Sequence, residues 1–201
     1  MKFIGLLAAT IAAATLSGAQ SRWQISVSGG VLSPEFFEHN SSGYEIEATL
    51  FYAVSDSLRL TFSSGYSWWN ETLGPGGATF RGVPLLFGLR FPFFTGRISP
   101  YLSGETGVHF IKRRYTLEVF DQGGIYGIYR LISSGPASES TTRLAFRLGA
   151  GVTIFVTDAL DIDLSAKYGR INYDYVYQYP MGWYRSSVNL FAVTAGLRCG
   201  L

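Results

Sequence analysis

The sequence is poor in the residue types that mark several common protein classes. It has one cysteine, Cys199, so no internal disulfide is possible, and we expect this residue to be a small apolar side chain on the last strand. Two histidines with scattered carboxylates do not have the spacing of a metal site. Charged residues make up 15% of the chain, and the formal net charge of +2 is too small to indicate a nucleic-acid partner. The sequence therefore predicts no metal, no cofactor and no nucleic acid.

Long apolar runs are confined to the N-terminus. Residues 1–19 have the features of a cleaved signal peptide, because Lys2 precedes an apolar stretch that ends in the small-residue cleavage site Ser17-Gly18-Ala19. The mature chain, 20–201, has no segment typical of a linker and is predicted to be one domain. It also has no apolar run long enough to cross a bilayer as a helix, so any membrane crossing must use strands.

Alternation of apolar and polar residues is the dominant pattern. From Thr142 to Ile154 every even-numbered position is apolar or Thr, and every odd-numbered position is charged, small or hydroxylic, so the strand has one apolar and one polar face. The pattern recurs along the chain and predicts eight strands, each near the length of about ten residues that crosses a bilayer at a tilt. The predicted strands are Arg22–Leu32, Gly43–Val54, Leu58–Trp69, Thr79–Phe91, Pro100–Lys112, Thr142–Val156, Leu160–Gly169 and Ser187–Cys199.

The connections between these strands alternate in length. Ser55-Asp56-Ser57 and Thr157-Asp158-Ala159 are tight polar turns, and the connection from Pro92 to Ser99 is intermediate. Short turns at one end and long loops at the other are typical of outer-membrane barrels, in which the short turns face the periplasm. The long connections all fall at one end and are Ser33–Ser42, Asn70–Ala78, Arg113–Thr141 and Arg170–Ser186.

Besides the asymmetry of the loops, two further features indicate which face points outward, since a soluble lipocalin-like barrel would alternate in the opposite sense. The polar face is rich in glycine, as expected where eight strands converge on a narrow lumen, and aromatic residues of the apolar face form two girdles near the strand ends. We therefore predict an all-β, eight-stranded antiparallel up-and-down transmembrane β-barrel in the bacterial outer membrane. The glycines are Gly65, Gly107, Gly149, Gly151 and Gly169; the girdles are Trp23, Tyr52 and Phe91 at the turn end and Tyr44, Tyr66, Trp68 and Tyr168 at the loop end.

Three segments resemble a known family: Val83-Pro84-Leu85-Leu86-Phe87-Gly88-Leu89-Arg90, then Pro100-Tyr101-Leu102-Ser103-Gly104, and the ending Phe191-Ala192-Val193-Thr194-Ala195-Gly196-Leu197. Over its mature length the chain is similar to the small eight-stranded outer-membrane barrels of the OmpA/OmpX type. The resemblance implies a scaffold and does not specify an activity. One departure concerns the terminus, because such barrels usually end on an aromatic residue and this chain ends on Leu201.

The inward charges are predicted to lie at two levels of the lumen. Both levels mix the two signs almost evenly, which favours a salt-bridged, closed interior. The alternative is a narrow channel for ions or small solutes, although a selective pore is expected to have rings of one sign, and the sequence predicts none. The turn-end level contains Arg59, Arg90, Arg198, Asp161 and Asp163, and the level nearer the middle and outer end contains Glu45, Glu47, Glu105, Arg143, Arg147 and Lys167.

Catalysis is a further alternative, because the resemblance includes small barrels that modify lipid A with a His and a Ser on the outer rim. His39 and Ser41 stand two residues apart in the first long loop, but the sequence places no acid beside them. His109 falls on the inward face near Glu105 and is expected to be a hydrogen-bonded lumen residue. We therefore predict no catalytic residues.

Aromatic residues concentrate in the third and fourth long loops. Rigid amphipathic rings suit the recognition of protein or sugar surfaces, but they could equally extend the adjacent hairpins above the membrane. The sequence thus favours a monomeric barrel with a structural or surface-interaction role, in contact with outer-membrane lipid and with an extracellular protein or glycan as the possible ligand. The aromatic residues are Tyr126, Tyr129, Tyr173, Tyr175, Tyr177, Tyr179, Trp183 and Tyr184.

Overall fold

The computed structural model describes residues 22–36, 39–40, 42–71, 78–94, 96–122, 129–157, 159–172 and 188–201. For 35–36, 39–40, 71, 115–122 and 129–134 the backbone alone is described. Within the described ranges no helix is long and apolar enough to span a membrane. The strands are β1 (Trp23–Phe36), β2 (His39–Asn40), β3 (Gly43–Ser55), β4 (Leu58–Glu71), β5 (Ala78–Pro92), β6 (Ile98–Gln122), β7 (Tyr129–Phe155), β8 (Leu160–Ile171) and β9 (Val188–Gly200).

The strands form one antiparallel sheet that closes on itself. Each long strand pairs with the next along the chain, and β1 pairs with β9 from Gln24↔Gly200 to Glu35↔Asn189. The two-residue strand β2 only folds back on the end of β1, so eight strands make up the barrel wall. Closure leaves no unpaired edge within the wall, which is the condition for a sheet to cross lipid. The predicted fold class is confirmed.

Most strand boundaries lie within a few residues of the prediction, with one large exception. The long loop predicted over Arg113–Thr141 is wrong, because β6 continues to Gln122 and β7 begins at Tyr129. The two strands stay paired through this stretch, with an irregularity between Val119 and Phe120. The physical reason is visible in the segment 115–120, whose β-branched and aromatic residues favour an extended backbone once a partner strand is beside it. We name 113–122 together with 129–139 the β6–β7 arm.

The apolar face of the sheet points outward, as predicted. Leu148 is 69% exposed and Phe87 and Ile46 are each 63% exposed, whereas the neighbouring Glu47 is 2% exposed. The girdle prediction agrees with ring contacts at both ends, where the Trp23 and Tyr52 centroids lie 4.8 Å apart and those of Tyr44 and Trp68 lie 6.1 Å apart. Such an inverted distribution is stable only where lipid surrounds the wall.

Two inward glycines are required by close approach. A Cβ on Gly82 would collide with the His109 ring, and one on Gly151 would collide with the Tyr101 ring. The His109 and Tyr101 rings occupy the space that a side chain at Gly82 or Gly151 would fill. Glycine at these positions therefore lets a large side chain of one strand lie over the backbone of the neighbouring strand. This is how a narrow lumen accommodates a layer of large polar side chains.

Candidate functional site

The lumen is built from three layers of side chains. The layer nearest the short turns contains Arg59, Arg90, Arg198, Asp161 and Asp163, and we call it the turn-side layer. The next, the central layer, contains Glu45, Glu47, Glu105, Arg147 and Lys167. The outermost, the outer plug, contains the buried apolar residues Leu32, Trp69, Ala78, Phe80, Ile111, Ala145, Ile171, Val188 and Ala192; Leu86 of the same apolar cluster pairs with Ser63.

The turn-side layer is a hydrogen-bonded pair of ion pairs. Arg90 Nη1 lies 2.6 Å from Asp163 Oδ2, and Asp163 Oδ1 accepts a hydrogen bond from Tyr101 Oη at 2.6 Å. Arg198 donates to Asp161 Oδ2 from Nε at 2.9 Å and from Nη2 at 2.7 Å. Both carboxylates of the layer are thus paired with an arginine, and Arg198 is 0% exposed.

Aromatic rings complete the turn-side layer. The Arg90 guanidinium lies 3.6 Å from the Tyr101 ring centroid and 4.6 Å from that of Phe51. Arg59 stands opposite Arg90 in the β4–β5 register and, among the described residues, forms no ion pair within 4.0 Å. The Arg90 guanidinium thus lies over the Phe51 and Tyr101 rings, which stabilise its charge without competing for its hydrogen-bond donors.

Arg147 is the hub of the central layer. Its Nη2 lies 2.6 Å from Glu47 Oε2, its Nε lies 3.2 Å from Glu105 Oε2, and its Nη1 lies 3.5 Å from Glu45 Oε1. Lys167 Nζ lies 2.5 Å from the other Glu47 oxygen, Oε1. The three carboxylates and two cations come from β3 on one side of the barrel and from β6, β7 and β8 on the other, so the layer joins opposite walls.

Hydroxyl groups donate hydrogen bonds to carboxylate oxygens of the central layer. Ser63 Oγ donates to Glu105 Oε1 at 2.8 Å, and Thr49 Oγ1 donates to Glu47 Oε1 at 3.2 Å. Arg143, predicted for the middle and outer part of the lumen, lies opposite His109 in the β6–β7 register, nearer the loop end than Arg147. The expected contact of His109 is made with Ser67, whose Oγ is 3.2 Å from its Nε2.

The outer plug was missed by the sequence analysis. Trp69 and Phe80 are each 1% exposed and stack in parallel, with ring centroids 5.3 Å apart. The signal was available, because Leu32, Trp69 and Ile111 are apolar residues at positions with the parity of the polar face. The outer part of the lumen is therefore mixed: apolar side chains pack there beside His109 and beside the Arg113 guanidinium, which lies 5.7 Å from the Phe80 ring centroid.

Several predicted residues lie outside the described part of the chain. Ser41 is one of these, and His39 is described by its backbone alone, as is Tyr129 at the start of β7. In the ranges that the structure describes, no cluster of three or more His, Cys, Asp or Glu side chains is arranged to hold a metal ion. The loop aromatics outside the described residues are Tyr126, Tyr173, Tyr175, Tyr177, Tyr179, Trp183 and Tyr184.

Comparison with solved structures places this barrel among small outer-membrane proteins. Neisserial surface protein A is 16% identical, with 92% of this chain and 98% of that one covered and a TM-score of 0.57. The attachment invasion locus protein Ail of Yersinia pestis is 17% identical, with coverages of 90% and 99% and a TM-score of 0.52. The outer membrane enzyme PagL is 13% identical, with coverages of 86% and 97% and a TM-score of 0.50. At these identities the likeness shows the fold alone.

No curated protein matches the sequence significantly. The family model for the outer membrane protein beta-barrel domain matches residues 3–198, which is nearly the whole chain. The match agrees with the closed eight-strand wall, its outward apolar face and its two aromatic girdles. Because the family match covers nearly the whole chain and the outer surface of the barrel is apolar, the chain belongs to the outer membrane protein beta-barrel family and is a protein of the bacterial outer membrane.

Proposed function

We propose that this protein is a closed barrel with a structural or surface-interaction role, and that it neither conducts ions nor catalyses a reaction. The observation that carries the proposal is the stacking of the three lumen layers. A solute entering from outside meets the outer plug, then the Arg147 hub, then the turn-side ion pairs. Trp69, Glu47 and Arg198 are 1%, 2% and 0% exposed, so each layer contains a large side chain that is buried in the lumen.

The arrangement of charge also argues against conduction. A selective pore needs a ring of one sign and sites that release the ion after binding it. In the central layer Arg147 and Lys167 are instead held by carboxylates at 2.5–3.5 Å. An ion moving through would have to break several buried pairs at once, each break leaving a charge without its partner at a cost of about 3–5 kcal/mol.

The β6–β7 arm supports the surface-interaction part of the proposal. β6 runs seven residues beyond Tyr115, its last partner on β5, which at about 3.3 Å per residue extends the hairpin about 23 Å past that strand. Among the described residues, β5 pairs with β6 only as far as Tyr115, and β8 pairs with β7 only from Ala145. The arm therefore has two strand edges that pair with no other described strand, and we propose that a protein ligand adds to one of them.

The relatives by fold are compatible with this role. Neisserial surface protein A and the attachment invasion locus protein are named for a place or role at the cell surface, whereas PagL is an enzyme. Here the Ser67–His109 contact is a serine–histidine pair, but both residues are buried beside Trp69. A lipid substrate on the outside of the wall has no route to this serine, so we assign the pair a structural role.

The lumen proposal is tested by planar-bilayer recording of the refolded, heat-modifiable protein. We expect no steady conductance at any applied voltage. A steady conductance with a defined ion preference would overturn the closed lumen and favour the channel alternative.

The rim-enzyme alternative, through His39 and Ser41, is tested separately by mass spectrometry of lipid A. The host expresses the protein and lacks its own lipid A-modifying enzymes, and we expect an unchanged spectrum.

The surface-interaction role is tested with an arm-shortened variant. Replacing 115–137 by Asn-Gly joins Arg114 to Ser138, which already face each other in the register, through a two-residue hairpin turn. Glycan arrays and immobilised extracellular proteins would be probed with cells that display the full chain or the variant. Binding by the full chain that the variant lacks supports the role; equal binding by both would contradict it.

A further inference from the structure

Two cations stand side by side on the outside of the wall, at the loop end. Arg81 on β5 and Lys112 on β6 are direct partners in the register, and both side chains are exposed. Trp68 flanks Arg81 from β4, and Ser140 flanks Lys112 from β7. Neither cation forms an ion pair with any carboxylate that the structure describes.

The neighbouring row toward the membrane centre is mostly apolar. It contains Tyr66, Val83, Phe110 and Thr142, of which Val83, Phe110 and Thr142 are successive register partners. Tyr66 is 46% exposed and Phe110 is 44% exposed on the outer surface. The polarity of the wall thus changes from apolar to cationic over two residues of each strand, as it must at the headgroup level of a leaflet.

A groove of about 490 Å³ joins the two rows. It is lined by Tyr66, Val83 and Phe110 on its membrane side and by Arg81, Lys112 and Ser140 on its outer side. The β4–β5 pairing is interrupted there, between Ser64↔Leu85 and Ser67↔Gly82, beside Pro84. Proline has no N–H to donate to the ladder, which accounts for a depression in the wall at this point.

We propose that this groove binds the phosphorylated headgroup of lipid A, the glycolipid of the outer leaflet. The Arg81 guanidinium binds a phosphate with two parallel donors, Lys112 supplies the second charge, and the Ser140 and Thr142 hydroxyls donate to the sugar or phosphate oxygens. The first methylene groups of the acyl chains lie on Tyr66, Val83 and Phe110. The occupant follows from charge complementarity and from the position of the groove, which lies where the outer surface changes from apolar to cationic. The proposal rests on the outer-membrane location and not on the proposed function.

The matched control is Arg170, an exposed outward cation on β8 that does not line the groove. Native mass spectrometry of the protein in uncharged detergent, titrated with bisphosphorylated lipid A, measures occupancy. We expect Arg81→Gln and Lys112→Gln each to weaken binding about fivefold and the double variant about 25-fold, because each removes a charge-assisted hydrogen bond to a phosphate bound in the groove. Arg170→Gln should change it less than about twofold.

A second measurement keeps the test independent of the variants. Unaltered protein titrated with dephosphorylated lipid A should bind as weakly as the double variant binds the phosphorylated form. Heat-modifiability on an unboiled gel checks that each variant is folded. The proposal is overturned if Arg170→Gln weakens binding as much as Arg81→Gln, which would mean general charge attraction, or if removing the phosphates leaves the affinity unchanged.

Discussion

Glu47 and Arg147 meet across the barrel, with Arg147 Nη2 lying 2.6 Å from Glu47 Oε2. Glu47 is on β3 and Arg147 is on β7, which stand on opposite sides of the closed ring. The contact therefore joins two walls that share no backbone hydrogen bond. The ion pair occupies the centre of the lumen, and each charge is neutralised by its partner. Loss of this pair is therefore expected to affect both the stability of the barrel and the closure of its lumen.

Arg147→Ala is expected to lower the free energy of unfolding by about 3 kcal/mol or more, because it leaves buried carboxylates without their counter-charge. Urea titration of the refolded barrel, followed by tryptophan fluorescence, measures the change. The double variant Arg147→Ala with Glu47→Gln should recover part of the loss, since the orphaned charge is removed. Strict additivity of the two substitutions would show that the residues do not interact.

Tyr101→Phe is expected to cost about 1.5–3 kcal/mol, because Asp163 loses a hydrogen bond from the Tyr101 hydroxyl to its carboxylate. The matched control is Tyr168→Phe, whose side chain is 46% exposed on the outside of the wall. It should change the unfolding free energy by less than about 0.5 kcal/mol. Equal effects of the two substitutions, measured by the same urea titration, would argue against the Asp163 contact.

Gly82→Ala is expected to destabilise the barrel by about 1–3 kcal/mol, since the added Cβ meets the His109 ring and forces it to move. Gly104→Ala is the control, because its nearest neighbour would be a Leu148 methyl at 3.6 Å, an ordinary contact. Thermal loss of the heat-modifiable band ranks the two variants. A Gly104→Ala protein that melts as early as Gly82→Ala would show that any strand glycine is needed for its backbone alone.

Trp69→Ala is expected to open the outer plug. The substitution should cost about 3–5 kcal/mol as a large core truncation and should admit water to the central layer. Ser63 is 0% exposed, so Ser63→Cys in a Cys199→Ala background provides a reporter for water in the lumen. A water-soluble maleimide should label this introduced thiol quickly only in the Trp69→Ala protein, whereas Ser140→Cys on the outer surface should label in both backgrounds. Equal labelling at position 63 with and without Trp69 would mean that the plug does not seal the lumen.

The sequence by itself determined the class, the strand count and the face of each strand. Alternation such as Arg143, Ala145 and Arg147 against Leu144 and Phe146 leaves one way to bury the polar side, and a closed ring follows because lipid tolerates no free edge. The inward direction of Glu47, Arg147 and Asp163 was predictable from parity. The partners of each were not, because they come from strands far apart in the chain.

Only the tertiary structure decided three matters. Which charges pair depends on the stagger of the strands around the ring, and this brings Arg147 to three carboxylates while Arg143 lies opposite His109. The outer plug forms because apolar residues at lumen-facing positions, such as Trp69 and Phe80, come together at one level along the barrel axis. The β6–β7 arm forms because 115–120 pairs with the serine-rich segment that opens β7, and strand formation depends on a partner that local sequence does not reveal.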